Sequence, residues 1–388
     1  MAVWMHKGRT AIAGIGTTPY YKRGTCPESA TSLTVRAIVD ACEDAGVDPR
    51  DVDGFVSYGA DHSSGTRLAP SLGTREVRWS AMAFGGGGSG TAPAVAIAAS
   101  AILAGFADTV VVYRGVSQTE GRLLELVKED HMSPQYEVNG LVAPVEFMAL
   151  RTRRMIDVAG VPQSTMRAFV RAAYHHAARN PAASSGGMLV SDADYDDSRL
   201  IAEPYHLFDC SRENDGAAAV IVTSAERARD LRHPPAYVLA APQSIGEGWG
   251  ERGESNDPYW SSGFFAVRER LWADSGHQPD DIDVVQVYEN TVGLAIASLI
   301  ELGFCTPESS GEFFRFENLI APNGGLPINT AGGNIAEGFF HGMGLILEGV
   351  RQIRGHSVNQ VPGARLSLVT GGPGGQGSAV LLGAEADS

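Results

Sequence analysis

A fourteen-residue pattern that begins at Ala45 recurs 230 positions later, at Ser275. Ala45-Gly46-Val47-Asp48-Pro49-Arg50-Asp51-Val52-Asp53-Gly54-Phe55-Val56-Ser57-Tyr58 is answered by Ser275-Gly276-His277-Gln278-Pro279-Asp280-Asp281-Ile282-Asp283-Val284-Val285-Gln286-Val287-Tyr288. Each copy reads as a helix end stopped by glycine, a Pro-Asp turn, an apolar β-branched strand and a closing tyrosine. A helix, a glycine and a second apolar strand follow in both places, at Ala101 to Tyr113 and at Ile346 to Thr370. Helix–glycine–strand junctions recur by chance in α/β proteins, but here both motif and order agree. A single repeat of this size points to a duplicated half and not to a solenoid.

The remaining pattern agrees with α/β layering, in which short apolar strands alternate with longer helical segments. Ala11 to Ile15 and Thr109 to Tyr113 read as strands, Ser29 to Ala45 as a helix and Thr91 to Ala104 as a buried, alanine-rich helix. Residues 117–205 carry helices of their own, Pro144 to Ala159 and Pro162 to Asn180, and read as an insertion that lids a substrate tunnel. The expected division is therefore 1–228, including that insertion, and 229–388. The 388 residues suffice for two such halves.

A net charge of −15 argues against nucleic acid and anionic membrane surfaces as partners. Four scattered cysteines (Cys26, Cys42, Cys210, Cys305) form no CxxC pair, which argues against a zinc site or a disulfide framework and suits the cytoplasm. The stretch Met1 to Lys7 has no apolar h-region, so no signal peptide is expected, and no window approaches a membrane span.

Four glycine-rich landmarks remain: Phe84 to Gly90, Asn214-Asp215-Gly216-Ala217-Ala218-Ala219, Asn329 to Gly338, and Gly371 to Gly377. In order and spacing they resemble the thiolase superfamily, in its sterol-carrier-like lipid-transfer branch, from about Thr10 to Leu382. The resemblance implies a thiolase-like α/β fold, with two duplicated βαβαβ-type halves in a five-layer α/β/α/β/α arrangement. It also implies an acyl-CoA substrate with no further cofactor or metal, and a homodimer formed through strands of the first half. Members of this branch often work with a small partner carrying an OB-fold and a zinc ribbon.

Both thiolase cysteines are missing. The nucleophile position falls on Gly87, with Gly90 as its matching glycine, and the acid/base position on Gly371. No acyl-enzyme forms on a glycine. Ser89 is the hydroxyl nearby, with no base beside it in sequence. A glycine run before a helix still offers free N–H groups and a positive dipole end, so Gly87, Gly88 and Ser89 are candidates for holding substrate. Gly374 and Gly375 are candidates for holding a thioester oxygen or enolate. The bland alternative is that both runs are tight turns.

Tyr288 takes the position of the family's active-site Asn or His. A tyrosine can donate to an oxyanion, or act as base if its pKa of roughly 10 is lowered. The family's catalytic His falls on Phe339 and its Pro on Phe340, with His341 the nearest ionisable group. The stretch Glu337 to Gly342 is similar to one in cysteine-less steroid side-chain-cleaving aldolases, in which the resemblance implies a tyrosine where this chain has Phe339. The bland alternatives are that Tyr288 closes a strand and that His341 fills a structural role. Asn214 to Ala219 reads as structural, with Cys210 a buried small hydrophobe.

The leading expectation is retro-aldol cleavage of a β-hydroxyacyl-CoA, such as a steroid or other bulky side chain. It needs a base for the β-hydroxyl and donors for the enolate, but no cysteine; Tyr288 or His341 would handle the proton. The alternatives are a thiolase-type acyltransferase, weakened by Gly87 and Gly371, and a non-catalytic acyl-CoA- or lipid-binding subunit, favoured by Phe339.

Overall fold

The computed structural model describes residues 6–59, 61, 63–84, 87–117, 136, 138–247, 257–373 and 376–387. Both copies of the repeated pattern adopt one local structure. Helix α1 (Ala30–Ala45) stops at Gly46, φ 73°, and Pro49–Asp51 makes a single 3₁₀ turn. In the second copy, helix Phe265–Ser275 stops at Gly276, φ 74°, before a 3₁₀ turn at Pro279–Asp281. Glycine is suited to both stops because the left-handed conformation carries no Cβ penalty there.

The strands repeat as well. In the first half β1 (Thr10–Thr17), β2 (Gly54–Tyr58), β3 (Trp79–Ala83), β4 (Thr109–Val116) and β5 (Asn214–Ser224) lie in the order β1-β5-β4-β2-β3. β4, β2 and β3 run parallel, while β5 is antiparallel to both of its neighbours. In the second half β6 (Ala236–Ala240), β7 (Val284–Gln286), β8 (Leu366–Thr370) and β9 (Gly377–Gly383) take the order β6-β9-β8-β7 with the same senses. The two half-sheets meet where Ala11 and Ile12 of β1 pair with Tyr237 and Ala236 of β6.

Alternation along the strands sorts the core into three apolar clusters. Val110, Val112, Ala218 and Val220 face a middle layer made by α2 (Thr91–Leu103) and a later helix, Met343–Arg354; Val369, Val380 and Leu382 reach it from the other half. Val111, Tyr113, Ala217 and Ala219 face α1 on one outside. Leu368 and Leu381 face Phe265–Ser275 and Val292–Leu302 on the other. The result is five layers. Ala92, Ala94 and Ala98 of α2 are buried in the middle one, where small side chains let a helix sit close against its neighbours. Each fully buried Val or Leu contributes roughly 1.5–3 kcal/mol.

The described part of 117–205 packs into the second half's core. It holds Pro144–Arg154, which continues into a π turn at Met155–Ala159, and Ser164–Ala177, whose Phe169, Val170 and Ala173 are buried. Tyr174 donates to the Ile335 carbonyl (3.2 Å), and the Ser184 N–H to that of Glu337 (2.7 Å), so this segment braces the Asn329–Gly338 loop from behind. Residues 118–135 and 137 lie outside the described residues. The division at 228/229 falls in the last turn of a short helix, Ala225–Arg229. Among the described residues no helix is long and apolar enough to cross a membrane.

Candidate active site

The two tyrosines that close the repeated strands converge. Tyr58 ends β2, and Tyr288 follows β7 by two residues. Tyr58 donates to the His341 carbonyl (3.0 Å). The Tyr288 ring lies against Gly88, where an added Cβ would stand 2.0 Å from its Cε2 and 2.4 Å from its hydroxyl oxygen. No side chain fits at Gly88 while Tyr288 stays in place. Gly87 differs: its φ is 36°, and the one atom an added Cβ would approach is His341 Cδ2, at 3.9 Å.

The C-terminal glycine loop closes on the same turn. Ser89 Oγ donates to the Gly372 carbonyl (3.1 Å), and Ser378 Oγ to the Ser89 carbonyl (2.9 Å). A Cβ at Gly371 would lie 2.1 Å from Ser378 Oγ, and one at Gly372 2.9 Å from the Ser89 nitrogen. Ser89 therefore clasps the two halves together; its hydroxyl is engaged in structure and not poised as a nucleophile. Gly374 and Gly375 lie outside the described residues.

The third loop supplies Phe339 and His341. Asn329 (φ 46°) and His341 (φ 50°) are its two non-glycine residues in the left-handed region, a conformation that costs roughly 1–2 kcal/mol and marks functional loops. The strain at His341 is held by the hydrogen bond from Tyr58 and by Thr91 Oγ1, which lies 2.8 Å from both the His341 and Gly88 carbonyl oxygens. The Phe339 N–H donates to Asn214 Oδ1 (3.2 Å), so the Asn-Asp-Gly-Ala stretch positions this loop. The Phe339 ring packs edge-to-face against His341 (centroids 4.9 Å) and against Tyr288 (6.2 Å). Behind His341 stands buried Arg114. Its Nε donates to His341 Nδ1 (2.9 Å), its guanidinium to the Tyr58 carbonyl (2.7 Å), and it pairs with Asp61 at 3.6 Å.

The family model for the thiolase C-terminal domain-like region matches residues 254–383. Over 98% of this chain and 100% of the relative, the sequence is 36% identical to the 17-hydroxy-3-oxo-4-pregnene-20-carboxyl-CoA lyase of Mycobacterium tuberculosis. The chain belongs to the thiolase superfamily. It is also 36% identical, over 97% of its own length and 98% of the relative, to the steroid side-chain-cleaving aldolase of Thermomonospora curvata. The solved structure of an "Ltp2-ChsH2(DUF35) aldolase" superposes with a TM-score of 0.90 at 35% identity, covering 98% of each chain.

Burial pushes the Tyr288 phenol far above its ordinary pKa; Tyr58 and Glu289 add to this, while Arg114 and the Gly88 N–H oppose it. Burial, and then Arg114, hold His341 well below the ordinary imidazole value. Tyr288 thus rests as a neutral phenol and His341 as a neutral imidazole, and neither is an anionic base. The thiols lie elsewhere. Cys26 and Cys42 belong to the cluster around α1, and Cys210 and Cys305 flank that of the second half. Burial pushes Cys42, Cys210 and Cys305 up to about 12. Cys210 is half-buried, not fully buried as the sequence suggested; it follows the 3₁₀ turn Leu207–Asp209 in extended backbone.

Sequence reasoning missed Arg114, Tyr58 and Thr91. Arg114 had a signal, a cation ending the continuous apolar run Thr109–Tyr113 in a strand buried on both faces. Tyr58 had another, its match to Tyr288 in the repeat.

Proposed function

We propose that this protein is a carbon–carbon lyase that cleaves a β-hydroxyacyl-CoA with a steroid-like or other bulky acyl chain by retro-aldol chemistry. The observation that carries this reading is the Tyr288 ring occupying the side-chain space of Gly88, beside His341 and with no thiol in the group. Covalent acyl transfer has no nucleophile there, whereas retro-aldol cleavage needs none. The substrate named for the 36%-identical lyase suits this chemistry: a 17-hydroxyl is β to a 20-carboxyl thioester, so breaking the bond between leaves a ketone and a three-carbon acyl-CoA.

Tyr288 is the proton carrier in this reading. As the Cα–Cβ bond breaks, the β-hydroxyl hands its proton to the Tyr288 oxygen, and Tyr288 gives its own to Cα. The bonding electrons pass through the thioester enolate to Cα, and the β-oxygen becomes the ketone oxygen. The phenol begins and ends neutral, so its raised pKa is no obstacle. Phe339 packs against the acyl chain and supplies no proton. Gly87 and Gly88 line the thioester side.

A small OB-fold and zinc-ribbon protein serves as the partner and helps to hold the CoA. Support comes from the two-component name of the structural relative. Two copies of the chain join along edge strand β3, where Met82 is 46% exposed and Phe84, just past the strand's end, 93%. The halves divide near 228/229, and the scattered free thiols suit the cytoplasm.

The test is to co-express the chain with its partner and supply β-hydroxyacyl-CoAs of graded bulk, a 17-hydroxysteroid thioester among them. Ketone and shorter acyl-CoA in equal amounts support the lyase. Tight acyl-CoA binding with no cleavage of any of them supports instead a binding subunit, the reading Phe339 favours.

A further inference from the structure

His341 lies where a base would be sought, but its surroundings dictate which nitrogen carries the proton. Arginine has only donors. Its Nε–H pointing at His341 Nδ1 from 2.9 Å requires a lone pair on that nitrogen. In a neutral imidazole the proton is then on Nε2. Protonating Nδ1 would set N–H against N–H and place a second cation beside the guanidinium. Flipping the ring would put a carbon opposite a buried charged donor, so the orientation is also fixed.

The donor itself is anchored. Arg114 is 5% exposed and bonds the Tyr58 carbonyl as well as facing the Asp61 carboxylate. That carboxylate is held by the backbone N–H groups of Ser63 (2.8 Å) and Gly115 (3.2 Å). The groups facing the imidazole are thus Arg114 from β4 with Asp61 behind it, Tyr58 from β2, and beyond Phe339 the phenol of Tyr288 with Glu289 next to it. The other edge of the ring is directed elsewhere. Nε2 has no hydrogen-bond partner among the described residues, and its ring neighbour Cδ2 faces Gly87, the position of the family's lost nucleophile.

We propose that Arg114, anchored by Asp61 and the Tyr58 carbonyl, is a positioning residue that locks His341 as the Nε2–H tautomer, and that His341 donates from Nε2 to the thioester oxygen of the substrate and does not accept its proton. The donor role rests on the lyase reading above; the lock does not. It divides the labour at the site, with Tyr288 moving the proton and His341 stabilising the charge that develops on the thioester.

Two experiments on the co-expressed complex test this. The first is ¹⁵N NMR of histidine-labelled protein, with His341 assigned by its loss in His341→Gln. Wild type is expected to show one unprotonated Nδ1 and one protonated Nε2 from pH 5 to 8. Arg114→Met is expected to let the Nδ1–H tautomer appear and to shift the titration upward, while burial still holds it below the ordinary imidazole value. An Nδ1–H tautomer, or an imidazolium near neutral pH in wild type, overturns the lock. The second compares His341→Gln, which keeps an N–H near the Nε2 position, with His341→Ala. Glutamine should retain kcat within about 10-fold, and alanine should lose about 10²–10³-fold, the usual cost of removing one oxyanion donor. Equal inactivation by both overturns the donor role. If the tautomer is locked but wild type cleaves no β-hydroxyacyl-CoA, the lyase reading fails and the positioning of His341 stands.

Discussion

Gly88→Ala is the sharpest perturbation of the site. The new methyl carbon would stand 2.0 and 2.1 Å from Tyr288 Cε2 and Cζ, whereas ordinary carbon contacts begin near 3.5 Å. Relief requires about 1.5 Å of movement, and the ring has little room to give. It is 3% exposed, and on another side a Cβ at Gly342 would already be 2.8 Å from Tyr288 Cδ2. Overpacking of this kind costs about 1–3 kcal/mol. Displacing a reacting group by about 1 Å costs on the order of 10²-fold in rate. Gly87→Ala is the control, since its Cβ meets nothing closer than 3.9 Å and it bears only the left-handed strain of roughly 1–2 kcal/mol. Thermal unfolding and release of shorter acyl-CoA, measured on both variants, should show similar stability losses but a selective loss of turnover in Gly88→Ala. Gly88→Ala turnover within threefold of Gly87→Ala would refute the reasoning, because the Tyr288 ring would then not be held against residue 88.

Tyr288→Phe should lower kcat by at least about 100-fold with an unchanged unfolding midpoint, as loss of a proton carrier does. Phe339→Tyr sets a hydroxyl between Tyr288 and His341 and should raise lyase turnover; a fall would show that the phenyl ring is needed for the acyl chain. Iodoacetamide should leave turnover intact at neutral pH, since burial holds Cys42, Cys210 and Cys305 as thiols with pKa up to about 12; rapid inactivation blocked by acyl-CoA would revive covalent acyl transfer. Glu337 is pushed up to about 8, chiefly by burial, with Glu348 adding to the shift and Arg351 opposing it. It is protonated when folded but ionised when unfolded above about 4.5, so unfolding releases its proton. Calorimetry should therefore find stability falling as pH rises from about 4.5 to about 8, with Glu337→Gln flattening that slope.

Much of the fold was legible because the duplication repeats local chemistry. The Gly46 and Gly276 stops, the two Pro-Asp turns and the two closing tyrosines recur in sequence and in space. The grouping of Tyr288, Phe339 and His341 was legible through the resemblance to the thiolase superfamily, which places Tyr288 and Phe339 at active-site positions with His341 two residues on. Two things were not. The tautomer of His341 depends on Arg114, 227 residues away, and a strand's alternation does not reveal which buried cation will meet which imidazole. The difference between Gly87 and Gly88 is also invisible in a run of four glycines; it arises from where the Tyr288 ring lands once two half-sheets have docked. Ser89 illustrates the same limit, since a hydroxyl in a glycine turn reads as a ligand group until Gly372 is seen to claim it.

Cleavage without a covalent intermediate is open to direct measurement in a single turnover in D₂O without free CoA. Wild-type complex is mixed with one equivalent of a β-hydroxyacyl-CoA, and the products and the intact protein are weighed by mass spectrometry. Retro-aldol cleavage should give ketone and shorter acyl-CoA in equal amounts, one deuterium at Cα of the acyl-CoA, and a protein carrying no acyl adduct. A requirement for added CoA, or an acyl adduct on the protein, would contradict it.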